Sequence, residues 1–163
     1  MIGPYSPRHV EGEPIVLGVG GYAAVYEYSG PDAQRVVEVE VEAVLLADDS
    51  PTMRALLHGA LAEAGFDVVL AEDGATASEL LDLRPCDAVV SDVQMPRCDG
   101  WDLLRKVGGR IPVILATSFP RPEDEEKALG LGAVAYLGKD EGVGQRAVDA
   151  LVAALGLSSE SDG

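Results

Sequence analysis

From residue 43 onward, apolar positions follow two alternating patterns: short unbroken runs, and longer stretches where they recur every three or four residues. The run "AVLLA" (43–47) is apolar throughout, which predicts a strand buried on both faces of a parallel sheet. Ser50 and Pro51 follow it, a cap residue and a proline placed where a helical N–H would lack a partner anyway. The helix they open carries Met53, Leu56, Leu57, Ala60, Leu61 and Ala64 as its apolar stripe and stops at Gly65. The alternation then repeats. Strands are predicted at "DVVLA" (67–71), "DAVVSD" (87–92), "IPVILAT" (111–117) and "AVAYLGK" (133–139). Between and after them come helices at "GATASELLDL" (74–83), "GWDLLRKV" (100–107), "EDEEKALGLG" (123–132) and "GQRAVDALVAAL" (144–155). Five strand–helix units in series predict an α/β, doubly wound parallel sheet with helices on both faces.

Residues 1–42 read differently. "IVLGVG" and "YAAVYEY" suggest a β-hairpin, and "VVEVEVE" (36–42) alternates valine with glutamate, as suits an edge strand or a solvated ribbon. The glycines in "LGVGGYAAVY" (17–26) look faintly like a kinase phosphate loop. However, Ala23 replaces its third glycine, Glu38 stands where a lysine would be needed, and no catalytic-loop motif follows. The expected organisation is a short β-rich N-terminal extension (1–42), either a remnant or a docking element, then one domain (43–157) and a disordered tail, "SSESDG" (158–163).

Charge narrows the partners. Acidic residues outnumber basic ones 28 to 12, a formal charge of −16. Such a field repels phosphate backbones and anionic lipid, and the lysines and arginines are scattered singly, so neither nucleic acid nor membrane is expected as a partner. No apolar run approaches a membrane span and the N-terminus lacks a secretory pattern, which points to a cytoplasmic protein. Cys86 and Cys98 have neither disulfide nor zinc spacing and read as reduced thiols.

In parallel α/β sheets the ligand site lies beyond the carboxyl ends of the strands. The polar residues at those ends are Asp48 and Asp49, Asp92, Thr117 and Lys139. Singly, each has an ordinary explanation: a loop cap, a charge at a helix start, a strand hydroxyl, a solvated lysine. Together they are a chemistry. Three carboxylates need a counter-charge, and a hard divalent ion such as Mg²⁺ takes oxygen ligands. Lys139 can pair with Asp92 or with a phosphoryl oxygen, and Thr117 offers that oxygen a hydroxyl. The set suits phosphoryl transfer; with no glycine-rich nucleotide cradle, the donor is expected to be something other than a nucleotide and the acceptor a protein carboxylate.

The motifs "LLADDS", "SDVQMPRCDG", "VILATS" and "AYLGK", in that order, resemble the receiver domain of bacterial two-component response regulators over about residues 43–157. The resemblance implies a flavodoxin-like (βα)5 fold, with Asp92 as phosphoacceptor and Mg²⁺ held by Asp48, Asp49, Asp92 and the backbone carbonyl of Gln94. It implies that Thr117 and Lys139 contact the phosphoryl group and that Tyr136 turns inward on activation. Met95, Pro96 and Gly100 match the loop after the phosphoacceptor. The implied phosphodonor is the phosphohistidine of a sensor histidine kinase. The implied output is a downstream protein meeting the face of the fourth helix, fifth parallel strand and fifth helix. Such a domain catalyses its own phosphorylation and dephosphorylation without being a conventional enzyme. It departs from the family at Asp140, where a proline is usual after the lysine, so the added acid is expected to weaken the hold of Lys139 on phosphate. Phe119 is expected to slow attack by water. The "DDSPTMR" start and the missing lysine–proline pair resemble receivers of chemotaxis and gliding-motility systems, single or fused to a kinase. Two competing readings are a phosphorylation-independent scaffold and a phosphate sink for a shared kinase. His58 reads as a surface histidine and Trp101 as packing.

Overall fold

In the computed structural model the described residues are 15–19, 22–28, 34–40 and 42–157. The chain divides into two compact units, Met1–Val41 and Glu42–Gly163. In the first, β1 (Ile15–Val19), β2 (Tyr22–Tyr28) and β3 (Gln34–Glu40) form an antiparallel sheet in that order. β3 is thus an edge strand, where alternating Val and Glu place one row of positions opposite Val25 and Ala23 and the other opposite Ala24 and Tyr22. Residues 158–163, expected as a tail, lie outside the described residues.

The second unit follows the predicted alternation. β4 (Ala43–Ala47), α1 (Pro51–Glu63), β5 (Asp67–Ala71), α2 (Gly74–Leu83), β6 (Ala88–Asp92), α3 (Gly100–Val107), β7 (Val113–Thr117), α4 (Pro122–Gly130), β8 (Ala135–Gly138) and α5 (Val143–Leu155) succeed one another. All five strands pair in parallel, in the order β5-β4-β6-β7-β8. This is the flavodoxin-like arrangement. The chain steps from β4 outward to β5, then crosses back to β6, so the crevice of the switch point opens between the ends of β4 and β6.

The unbroken apolar runs have a simple cause. Successive strand residues point to opposite faces. Leu45, Ala47, Val89, Val113 and Leu115 pack with Leu103, Leu104 and Val107 of α3 and Ala77 of α2. Their neighbours Val44, Leu46, Ala88, Val90 and Ile114 pack with Leu57 and Leu61 of α1 and Val143, Ala147 and Leu151 of α5. Both faces are covered, so no position in β4, β6 or β7 is left for water, whereas the outer strands β5 and β8 are partly exposed. α1 starts as its sequence implies, with Ser50 Oγ accepting the Met53 amide at 3.2 Å and Pro51 in the first turn. Its buried stripe is narrower than expected: Leu57 and Leu61 are enclosed, whereas Leu56 is 49% exposed and Ala64 is also exposed. The helix packs against the first turn of α5, where a side chain on the Gly144 Cα would come within 2.9 Å of the Ala60 methyl. α4 begins one residue early, on Pro122, and closes at Gly130, where the Ala133 amide returns to the Ala128 carbonyl at 2.9 Å.

Candidate functional site

Each predicted residue reaches the sheet edge by a definable local route. After β4, the Asp48 amide still bonds the Ala71 carbonyl of β5 (3.1 Å), so Asp48 prolongs the strand and its side chain is buried. Its Oδ1 accepts the Ser50 amide at 2.8 Å, which closes the turn into α1, and Arg54 Nη1 donates to its carbonyl at 2.6 Å. Asp49, one step on, is exposed. The two adjacent aspartates therefore differ: one is sealed into the base of the site and one forms its rim. Asp92 ends β6 and is 8% exposed; Gln94 N donates to its Oδ1 at 3.3 Å. Gly100 matters here, because a Cβ at that position would stand 2.5 Å from the Asp92 carbonyl oxygen. Thr117 is buried at the end of β7, its Oγ1 accepting the Phe119 amide at 3.1 Å.

Lys139 joins these elements. Its amide donates to the Thr117 carbonyl at 2.8 Å, and its enclosed side chain places Nζ 2.8 Å from Asp48 Oδ2 and 3.0 Å from Asp92 Oδ1. One ammonium thus faces two carboxylates, and Asp49 supplies a third. Burial is the main cause that lifts the Asp92 carboxyl from 3.8 to about 6. Lys139 opposes the rise, and Asp48 and Asp49 add to it. The cleft above, about 430 Å³, is lined by Asp49, Ser50, Asp92, Gln94, Met95, Pro96, Thr117, Ser118, Phe119 and Lys139.

The donor set fits a hard cation. One carboxylate oxygen from each of Asp48, Asp49 and Asp92 lies within 4.8 Å of the others. Asp48 Oδ2 is buried and faces Lys139 Nζ at 2.8 Å, with no further hydrogen-bond donor on it among the described residues. A sealed carboxylate oxygen is costly without positive charge beside it; Lys139 supplies one such charge, and three carboxylates leave room for a hard cation as well.

The other candidates are placed elsewhere. Tyr136 is half-buried against the α2–α3 side of the core, and its hydroxyl accepts a long 3.4 Å bond from the Arg121 amide at the start of α4. Burial is the main cause that raises its pKa. Asp140 does not turn into the cleft; its carboxylate pairs with Arg146 of α5. Phe119 is 75% exposed at the cleft mouth. His58 is half-buried within α1 and does not line this cleft. Trp101 packs on the core with Lys127 Nζ 4.2 Å above its ring, joining α3 to α4. Both cysteines are free, and burial pushes each thiol up.

Two arrangements went unseen in the sequence. Arg97, the one non-glycine residue with positive φ (70°) among the described residues, pairs with Asp73, whose carboxylate caps α2 on the Thr76 amide at 2.7 Å. The only local signal was the cap residue itself. At the opposite end of the sheet Arg84, Lys106 and Arg110 gather round a small cleft. They are engaged there with Asp67 (3.8 Å), Asp82 (3.0 Å) and the terminal carbonyls of α3, and so form no open basic patch. Among the described residues no helix is long and apolar enough to cross a membrane.

Comparison with known proteins agrees with this geometry. The response regulator receiver domain family matches residues 44–150. A gliding motility regulatory protein of Myxococcus xanthus is 44% identical over 104 residues, 60% of this chain and 13% of that protein. The transcriptional regulatory protein PdtaR of Mycobacterium tuberculosis is 38% identical over 99 residues, 59% of this chain and 48% of that protein. The chain therefore spans at most about half the length of these relatives. Among solved structures, the Vibrio cholerae chemotaxis protein CheY4 superposes with a TM-score of 0.63 at 26% identity, covering 70% of this chain and 98% of that one. The matched segment, the strand order and the acidic sheet edge agree: this chain belongs to the response regulator receiver domain family.

Proposed function

We propose that this receiver takes a phosphoryl group from the phosphohistidine of a sensor kinase onto Asp92 and releases it again by hydrolysis. The observation that carries the reading is Lys139, buried between Asp48 and Asp92, with Asp49 completing a three-carboxylate cluster at the switch point. An Asp92 carboxylate oxygen attacks phosphorus, the P–N bond of the donor breaks, and the imidazole leaves with a proton. Asp48, Asp49, Asp92 and the Gln94 carbonyl would hold Mg²⁺, which when bound neutralises charge shared by donor and acceptor oxygens. Lys139 is placed to exchange Asp92 for a phosphoryl oxygen, and the Thr117 hydroxyl, held by only one amide, is free to donate to another.

The signal leaves through α4, β8 and α5. As Thr117 moves toward the phosphoryl group, space opens beside β8 and Tyr136, tethered by one long bond, rotates into it. That face carries exposed Leu129, Leu131 and Val134 beside Glu123, Glu125 and Glu126, a surface suited to a protein partner. The names of the gliding-motility relative and the chemotaxis neighbour favour a place in motility signalling. Incubation with acetyl phosphate and Mg²⁺, followed by intact mass, tests the reading. Wild type gains one phosphoryl group and Asp92→Asn gains none. A wild type that never gains that mass, from acetyl phosphate or from a competent kinase, overturns it and leaves a scaffold.

A further inference from the structure

A lysine has a long, flexible stem, so placing its ammonium within about 3 Å of two buried carboxylates requires its backbone to be held. The β8 ladder stops at Gly138, and beyond it the chain turns through Gly142 in the left-handed region (φ 86°). Two main-chain bonds hold the segment between, from the Lys139 amide to the Thr117 carbonyl at 2.8 Å and from the Val143 amide to the Asp140 carbonyl at 3.1 Å, and Arg146, in the first turn of α5, adds a side-chain hold. Its Nη2 donates to the Gly138 carbonyl at 3.1 Å and also pairs with the Asp140 carboxylate. One guanidinium therefore clasps the residues immediately before and after Lys139. The Asp140 carboxylate is drawn back over Gly138, where an added Cβ would stand 3.4 Å from its Oδ2 and 3.2 Å from Pro120. An exposed ion pair alone contributes little. Here the same nitrogen also holds a main-chain carbonyl, so the pair sets geometry rather than merely adding charge.

We infer that Arg146 is a positioning residue: by gripping Gly138 and Asp140 it fixes the stretch from which Lys139 reaches Asp48, Asp92 and the phosphoryl group. This rests on the function proposed above. It gives Asp140 a use as the anchor of a side-chain clasp in the loop that presents the lysine.

The test uses the full chain with Arg146→Met, which keeps the aliphatic stem. Phosphorylation by saturating acetyl phosphate, followed by mass, is expected to slow about tenfold. Mg²⁺ affinity by calorimetry stays within twofold, because the three carboxylates are untouched. Asp140→Ala slows the reaction less, and adding it to Arg146→Met slows it no further. Arg146→Lys, which keeps one donor, restores part of the rate. A rate in Arg146→Met within twofold of wild type overturns the inference, as does an equal fall in Mg²⁺ affinity, the mark of general damage. If Arg146→Met does not fold, Asp140→Ala and Arg146→Lys decide by the same two readouts. Should wild type itself take no phosphoryl group, the proposed function fails separately. The clasp is then read from amide exchange at residues 139–142, where at least tenfold faster exchange in Arg146→Met upholds it and unchanged exchange refutes it.

Discussion

Replacing Asp92 with asparagine removes one charge from an enclosed cluster and should make the metal-free protein more stable at alkaline pH. The folded carboxyl is raised to about 6 from an ordinary 3.8, chiefly by burial. Folding therefore takes up a proton at this site. The associated stability is fully present below about pH 3.8 and is lost as pH rises through about 6. The whole difference corresponds to about 3 kcal/mol, and water entering through the cleft reduces it to about 1–2 kcal/mol. At pH 8 in EDTA, Asp92→Asn should accordingly be about 1–2 kcal/mol more stable than wild type. By pH 5 about half of that gap should close, since the wild-type carboxyl is then largely protonated. Urea denaturation at the two pH values gives the comparison directly. Adding Mg²⁺ at ten times its dissociation constant should return about 1.4 kcal/mol to wild type and much less to the variant. A variant no more stable than wild type at pH 8, or a gap that stays constant down to pH 5, would refute the claim that Asp92 is held ionised at a cost.

Other expectations follow from named contacts. Lys139→Met leaves Asp48 and Asp92 without their shared ammonium and should cost about 3–5 kcal/mol in EDTA by urea denaturation, with part of it recovered on adding Mg²⁺. Gly74→Ala drives a methyl to 1.5 Å from the Cys98 carbonyl oxygen, so the loop after β6 must shift; a loss of roughly 2 kcal/mol and weaker Mg²⁺ binding are expected by thermal melts and calorimetry. Phe119→Glu places a carboxylate at the cleft mouth and should speed loss of the phosphoryl group several-fold, measured by mass over time; an unchanged rate removes any role for Phe119 in excluding water.

Fold and site were legible in the sequence to different depths. "AVLLA" and "VILAT" declare strands covered on both faces, and the polar residue after each run falls at the carboxyl edge by topology alone. Asp48, Asp49, Asp92, Thr117 and Lys139 are thus legible from the sequence alone. What could not be read is how adjacent residues divide their labour. Asp48 is sealed and Asp49 open because the Asp48 amide continues the sheet, a fact set by β5 rather than by neighbouring sequence. Periodicity also placed Leu56 in the core, since it marks a face but not how far the next helix extends over it. The pairing of Asp140 with Arg146, six residues on, was equally hidden, because the turn into α5 is what brings the two together. Likewise the Arg97–Asp73 pair spans two loops that only the folded sheet makes neighbours.

The contact between Lys127 and Trp101 carries a practical consequence. This is the sole indole in the chain, and a charged amine rests on its face from a different helix, the one that borders the proposed output surface. Any sliding of α4 relative to α3 alters the electric field felt by that ring. Its emission colour and intensity are therefore an intrinsic optical gauge of the conformational state, available without labels.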